Sequence, residues 1–115
     1  MNLTGEPVDD RTELVIASGE LDLYAAPELK RIIGAAIEDG RIRLVVDLTH
    51  AGFMDSTALG VLIGAIKRLR SFDGGGLVLA SRQPSILRIL EITGLDRVIP
   101  VYASREEALA AVGEG

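Results

Sequence analysis

Short runs of branched aliphatic residues alternate along this chain with longer stretches whose apolar residues recur at helical spacing, and this alternation constrains the fold most. Leu14, Val15, Ile16 and Ala17, closed by Ser18 and Gly19, are too few for a helix and suit a largely buried strand. From Pro27 to Ile37, the residues Leu29, Ile32, Ile33, Ala36 and Ile37 share one helical stripe, with Pro27 fit for the first turn and Gly40 for the stop. Ile42, Leu44, Val45, Val46 and Leu48 predict a second strand, apolar on both faces as strands covered by helices on both sides are, with Asp47 near its end. A second helix is predicted from Ser56 to about Arg70, with Leu59, Leu62, Ile63, Ile66 and Leu69 on its stripe. Gly74, Gly75 and Gly76 read as a flexible turn, Leu77 to Ala80 as a third strand, and Pro84 to Thr93 as a third helix stopped by Gly94. Val98 to Val101 reads as a short last strand, at an edge because Pro100 has no N–H to donate. Ser104 and Glu107 form a capping box for a terminal helix striped by Ala108, Leu109 and Val112, and Asn2 to Val8 can add an antiparallel strand through the turn at Asp9, Asp10 and Arg11.

This order predicts an α/β fold: a small, mixed, mostly parallel sheet packed with about four helices, in one domain spanning residues 1–115. Hydrophobic residues at 48% and charged residues at 25% match a folded chain with one core. Twelve Lys and Arg against 17 Asp and Glu leave a net charge of -5, which repels phosphate backbones and anionic lipid, and 3% aromatics offer few rings for base stacking. The expected partners are therefore proteins or small molecules, with neither nucleic acid nor membrane among them. No basic leader opens the chain and no run approaches the roughly 20 apolar residues of a membrane span, so a cytoplasmic location is expected.

Having no Cys, the chain has no disulfides, thiolate metal sites or thiol nucleophiles. His50, Ser56 and Asp55 can be assembled on paper as base, nucleophile and orienting acid, a small-hydrolase reading. No G-x-S-x-G elbow surrounds Ser56, and a lone His in a strand-to-helix loop reads as a solvated residue. The glycines at 74 to 76 follow a helix instead of opening one, no dinucleotide or phosphate-loop fingerprint is present, and the carboxylates are spread along helix faces. Neither catalysis, nor a cofactor, nor a metal is expected.

The informative stretch runs from Asp47 to Gly64: the end of a buried strand, a short loop holding Phe53 and Met54, and a helix start at Asp55, Ser56 and Thr57, three consecutive side chains able to cap. A plain N-cap explains it at the simplest level. A second apolar line at Ala58, Val61 and Ala65 makes the first half of the helix apolar around much of its circumference, so it is either wedged among neighbours or offered to a partner. A hydroxyl at a helix start is also where the fold tolerates a phosphate, facing free N–H groups and the positive end of the helix dipole.

With Gly19-Glu20-Leu21-Asp22 after the first strand, Val46-Asp47-Leu48, Phe53-Met54-Asp55-Ser56-Thr57, Leu59-Gly60-Val61 and Ile92-Thr93-Gly94-Leu95, the sequence resembles the STAS domain family over essentially its whole length. Within that family it resembles the stand-alone anti-sigma factor antagonists of bacterial partner-switching systems. The resemblance implies that the unphosphorylated protein binds an anti-sigma factor that is also a GHKL-type serine kinase, freeing the sigma factor. It implies phosphorylation at Ser56, release of the partner, and resetting by a PP2C-type phosphatase. Asp22, Asp55 and Thr57 carry over as residues around the acceptor, and Ala58, Leu59, Gly60 and Val61 as the partner-facing first turns. Position 58 is Ala where the family usually has Gly, and its methyl is expected to stand in the way of a closely approaching kinase. The alternative within the same fold is a non-switching scaffold or complex subunit, of a stress-sensing or lipid-transport assembly, in which Ser56 is only a cap.

Overall fold

The computed structural model describes residues 2–114. Strand β1 (Asn2–Pro7) turns back into β2 (Thr12–Leu21), followed by α1 (Ala26–Glu38), β3 (Arg43–Met54), α2 (Ser56–Leu69), β4 (Gly76–Ala80), α3 (Pro84–Thr93), a 3-10 turn at Leu95–Arg97, β5 (Val101–Tyr102) and α4 (Arg105–Glu114). The five strands lie in sequence order; β1 pairs antiparallel with β2, and every later pairing is parallel. The α/β architecture with a mixed, mostly parallel sheet is thus the one predicted. The helices fall on the two faces for a topological reason. Three successive right-handed crossovers all step the same way across the sheet and so must put α1, α2 and α3 on one face, leaving the other to α4.

Alternation along the strands serves both faces. Val15, Ala17, Leu44, Val46 and Leu48 join the large core under α1 to α3, while Leu14 and Val45 join a smaller cluster with Ala80 and Ala108 under α4. Asp47 falls on the α4 side, where β3 would otherwise bury a bare carboxylate. Its Oδ1 accepts from the Thr49 hydroxyl at 2.6 Å and the Thr49 N–H at 2.9 Å, and its Oδ2 from Arg105 Nε of α4 at 2.8 Å. Burial pushes the Asp47 carboxyl up, but these bonds together outweigh it and hold the group below the usual carboxylate range.

The structure corrects four local expectations. β3 does not end near Asp47 but continues through the stretch read as a loop to Met54, so Phe53 and Met54 are strand residues and Asp47 sits mid-strand. Two irregularities in the β2–β3 pairing, between Ile16 and Ser18 and between Gly19 and Glu20, change the spacing of core-facing residues from two to three at Leu48, Ala51 and Met54, which hides the strand period. β2 likewise runs on to Leu21, so Gly19 to Leu21 lie within the strand. The bulged segment's carbonyls find donors at the start of α3: Gln83 Nε2, from the N-cap, donates to the Thr49 oxygen at 3.1 Å and the Ser85 hydroxyl to the Gly52 oxygen at 2.6 Å. Val98 closes the 3-10 turn instead of opening the last strand. Finally, the triple glycine is a tight junction: Gly74 adopts φ +79°, and a Cβ at Gly75 would stand 2.3 Å from the Leu69 carbonyl oxygen.

Candidate functional site

Two neighbouring parallel strands end side by side, with Leu21 of β2 in register with Met54 of β3, and each is followed at once by an aspartate. Asp55 donates its N–H to the Leu21 carbonyl at 3.0 Å, tying the start of α2 to the end of β2. Its Oδ1 accepts from the N–H groups of Thr57 at 2.9 Å and Ala58 at 3.0 Å, making Asp55 the N-cap of α2. Asp22 does the corresponding work for α1: its Oδ1 accepts from Tyr24 N–H at 3.0 Å and Ala25 N–H at 3.2 Å, and its carbonyl receives the N–H groups of Ala25 and Ala26. Both carboxylates thus stand at the carboxyl edge of the parallel strands, the place where open α/β sheets bind ligands and partners.

Ser56, the first residue of α2, is exposed, and among the described residues its hydroxyl has no hydrogen-bond partner. Thr57 is exposed beside it. The other residues expected at a partner surface divide in two. Ala58 and Leu59 are 0% and 5% exposed and belong to the core, because the first turn of α2 presses one side onto the sheet. Gly60 is exposed and Val61 half-buried, so these two reach the surface of α2 where Ala58 and Leu59 do not. The Ala58 methyl points inward as well, so the expected hindrance to a kinase has no physical basis. His50 is exposed and lines a polar cleft with Asp47, Arg82 and Arg105 that Ser56 does not line, and Asp55 is engaged with the helix start. The paper triad is not assembled.

Sequence reasoning missed three exposed apolar side chains around this edge: Leu23 (54%), Tyr24 (81%) and Phe53 (46%). Leu23 and Tyr24 follow Asp22 directly, and Phe53 is in register with Glu20. Tyr24 in the turn between β2 and α1, in a chain with only two Tyr and two Phe, was the available signal.

A small α/β domain, with its conspicuous surface where β2 and β3 hand over to α1 and α2, is the class this fold and site define. A STAS domain model matches residues 7–108, and the chain belongs to the STAS domain family. It is 39% identical over 87 residues to an anti-sigma-B factor antagonist of Listeria monocytogenes, covering 76% of this chain and 75% of that protein. It is 36% identical over 107 residues to an anti-sigma-B factor antagonist of Staphylococcus aureus, covering 92% and 98%. Among solved structures, an anti-sigma factor antagonist from Mycobacterium paratuberculosis superposes with a TM-score of 0.87 at 33% identity, covering 96% of this chain and 92% of that one. The phosphorylated form of the Bacillus cell fate determinant SpoIIAA superposes with a TM-score of 0.77 at 26% identity, covering 96% and 99%.

Proposed function

We propose that this chain is an anti-sigma factor antagonist whose unphosphorylated form binds an anti-sigma factor and whose affinity is switched off by phosphorylation of Ser56. The observation that carries the reading is the division of labour at the start of α2: Asp55 does the capping, which leaves the Ser56 hydroxyl exposed and unengaged. A serine needed as a cap would lose that bond on modification, whereas this one can be modified without cost to the helix. The names of the similar relatives and the phosphorylated state of the similar SpoIIAA structure support the same reading.

In the mechanism, Asp22 and Asp55 hold the two helix starts rigid, Ser56 and Thr57 present their hydroxyls, and Gly60 and Val61 extend the contact along α2. The partner is an anti-sigma factor with GHKL-type serine kinase activity, and a PP2C-type phosphatase removes the phosphate. A phosphoserine brings about 1.5 to 2 negative charges at pH 7 to a site already flanked by Asp55. At about 6 Å from a partner carboxylate and an effective dielectric near 20, each charge pair costs roughly 3 kcal/mol, about a hundredfold in affinity. Release then needs no refolding.

The test is incubation with ATP and the host's GHKL-type anti-sigma kinase, read by intact mass and peptide mapping. One phosphoryl group on Ser56, absent from Ser56→Ala, is expected. A kinase that binds the chain tightly yet leaves Ser56 unmodified overturns the switch.

A further inference from the structure

Between α1 and α2 lies an open groove of about 390 Å³ whose lining begins at Thr57, one residue from the proposed phosphate acceptor. Ile33, Ile37 and Ala65 make it apolar. Along α2 the lining extends from Thr57 to Arg68, roughly 16 Å at the α-helical rise, or about three turns. Both helices leave the same edge of the sheet, so the walls of the groove run in the same direction.

Two features of this groove bear on what could occupy it. Gly60 and Gly64, one turn apart on its α2 wall, are helix-interior glycines, unfavourable relative to alanine, yet a Cβ at either would meet nothing within 4 Å. No packing or backbone constraint requires them, and what they leave is empty volume. In addition, the charged side chains that line the groove are both cations, Lys30 on the α1 wall and Arg68 on the α2 wall, each exposed and, like most Lys and Arg of the described residues, in no ion pair. Arg68 reaches across toward α1, its Nη1 lying 4.0 Å from where a Gly34 Cβ would be. Two free cations beside an apolar trough fit an occupant with an apolar stripe flanked by carboxylates. The trough lies between helices and presents no strand edge, so an extended peptide would find no main-chain partners, whereas a helix with apolar residues at i, i+3, i+4, i+7 and i+11 matches three turns of groove.

We propose that this groove docks an acidic amphipathic helix of the anti-sigma factor, seating its apolar stripe over Gly60 and Gly64 and its carboxylates against Lys30 and Arg68. The proposal rests on the reading of the chain as an antagonist and adds where and how its partner is held. It also separates docking from switching: the groove supplies affinity along α2, and the phosphate at Ser56 acts at one end of it.

Two variants of the full chain test this against the host anti-sigma factor that binds the wild type: Gly64→Leu, which fills the trough, and Lys30→Glu combined with Arg68→Glu. Both are expected to raise Kd by about tenfold or more and to raise the KM for phosphorylation while kcat is kept, with circular dichroism unchanged. Unchanged affinity in both variants, alongside weakened binding by Ser56→Asp, overturns the groove and leaves the switch standing. Lost affinity in the groove variants with none in Ser56→Asp does the reverse. Lost affinity in Gly64→Leu alone overturns the acidic character of the occupant. A wild-type chain that self-associates and becomes monomeric on Gly64→Leu assigns the groove to a second copy and overturns the proposal.

Discussion

Asp55 and Ser56 are adjacent in the chain and have separate roles in the fold. Asp55 satisfies two N–H groups of the first turn of α2, so Asp55→Ala is expected to destabilise the protein by about 1 kcal/mol. Among the described residues Ser56 accepts no hydrogen bond, so Ser56→Ala is expected to stay within about 0.5 kcal/mol of wild type. Urea denaturation of the two variants checks the ranking, and a larger loss for Ser56→Ala would return the serine to a capping role. The sequence could not make this choice, because Asp, Ser and Thr are all good N-caps and stand in a row. What makes it is the bond from Asp55 N–H to the Leu21 carbonyl, a contact set by strand register. The inward direction of Ala58 was equally illegible, since which face of a helix start meets the sheet depends on that same register.

Among the elements, β3 shows where periodicity stops being informative. Its first half was readable from Ile42 to Leu48 as a short branched-aliphatic run; its second half is bulged, so the spacing of its core-facing residues changes although the strand continues. The junction from α2 to β4 was readable as a turn, but not its tightness, which comes from the Leu69 carbonyl facing Gly75. Gly75→Ala is expected to cost about 1 to 3 kcal/mol because backbone must move, whereas Gly76→Ala, with open space at its Cβ, is expected to cost little. Thermal unfolding of both checks this, and equal stabilities would deny the contact. The link from β3 to α4 carries a pH dependence. Asp47 is held below its ordinary pKa, so its stabilising contribution is present above about pH 4 and is lost as pH falls through the folded value. Arg105→Ala leaves Asp47 its Thr49 bonds but no counter-charge, an expected loss of about 2 kcal/mol near neutrality. That loss should shrink in acid, where the carboxyl is protonated in both variants. Urea titrations at neutral pH and near pH 3 measure it, and a loss that grew in acid would contradict the assignment.

At the scale of the whole molecule, the net charge of -5 concerns which partners approach, and the charge placed at Ser56 concerns whether one stays. Ser56→Ala is expected to keep the affinity of the unmodified protein for its anti-sigma factor. Ser56→Asp, one charge against the 1.5 to 2 of a phosphate, is expected to weaken it by about tenfold to a hundredfold. Calorimetry decides, and equal affinities would remove the charge switch. The order of elements, the parallel sheet and the amphipathic helices were settled by the sequence alone, because hydrophobic period and crossover handedness are local or near-local properties. Only the tertiary structure decided which aspartate caps, which side of α2 faces outward, and that a glycine-lined groove with two free cations adjoins Ser56. Those depend on the register of β3 against β2 and on the packing of α1 against α2, contacts between residues far apart in the chain that no local pattern encodes.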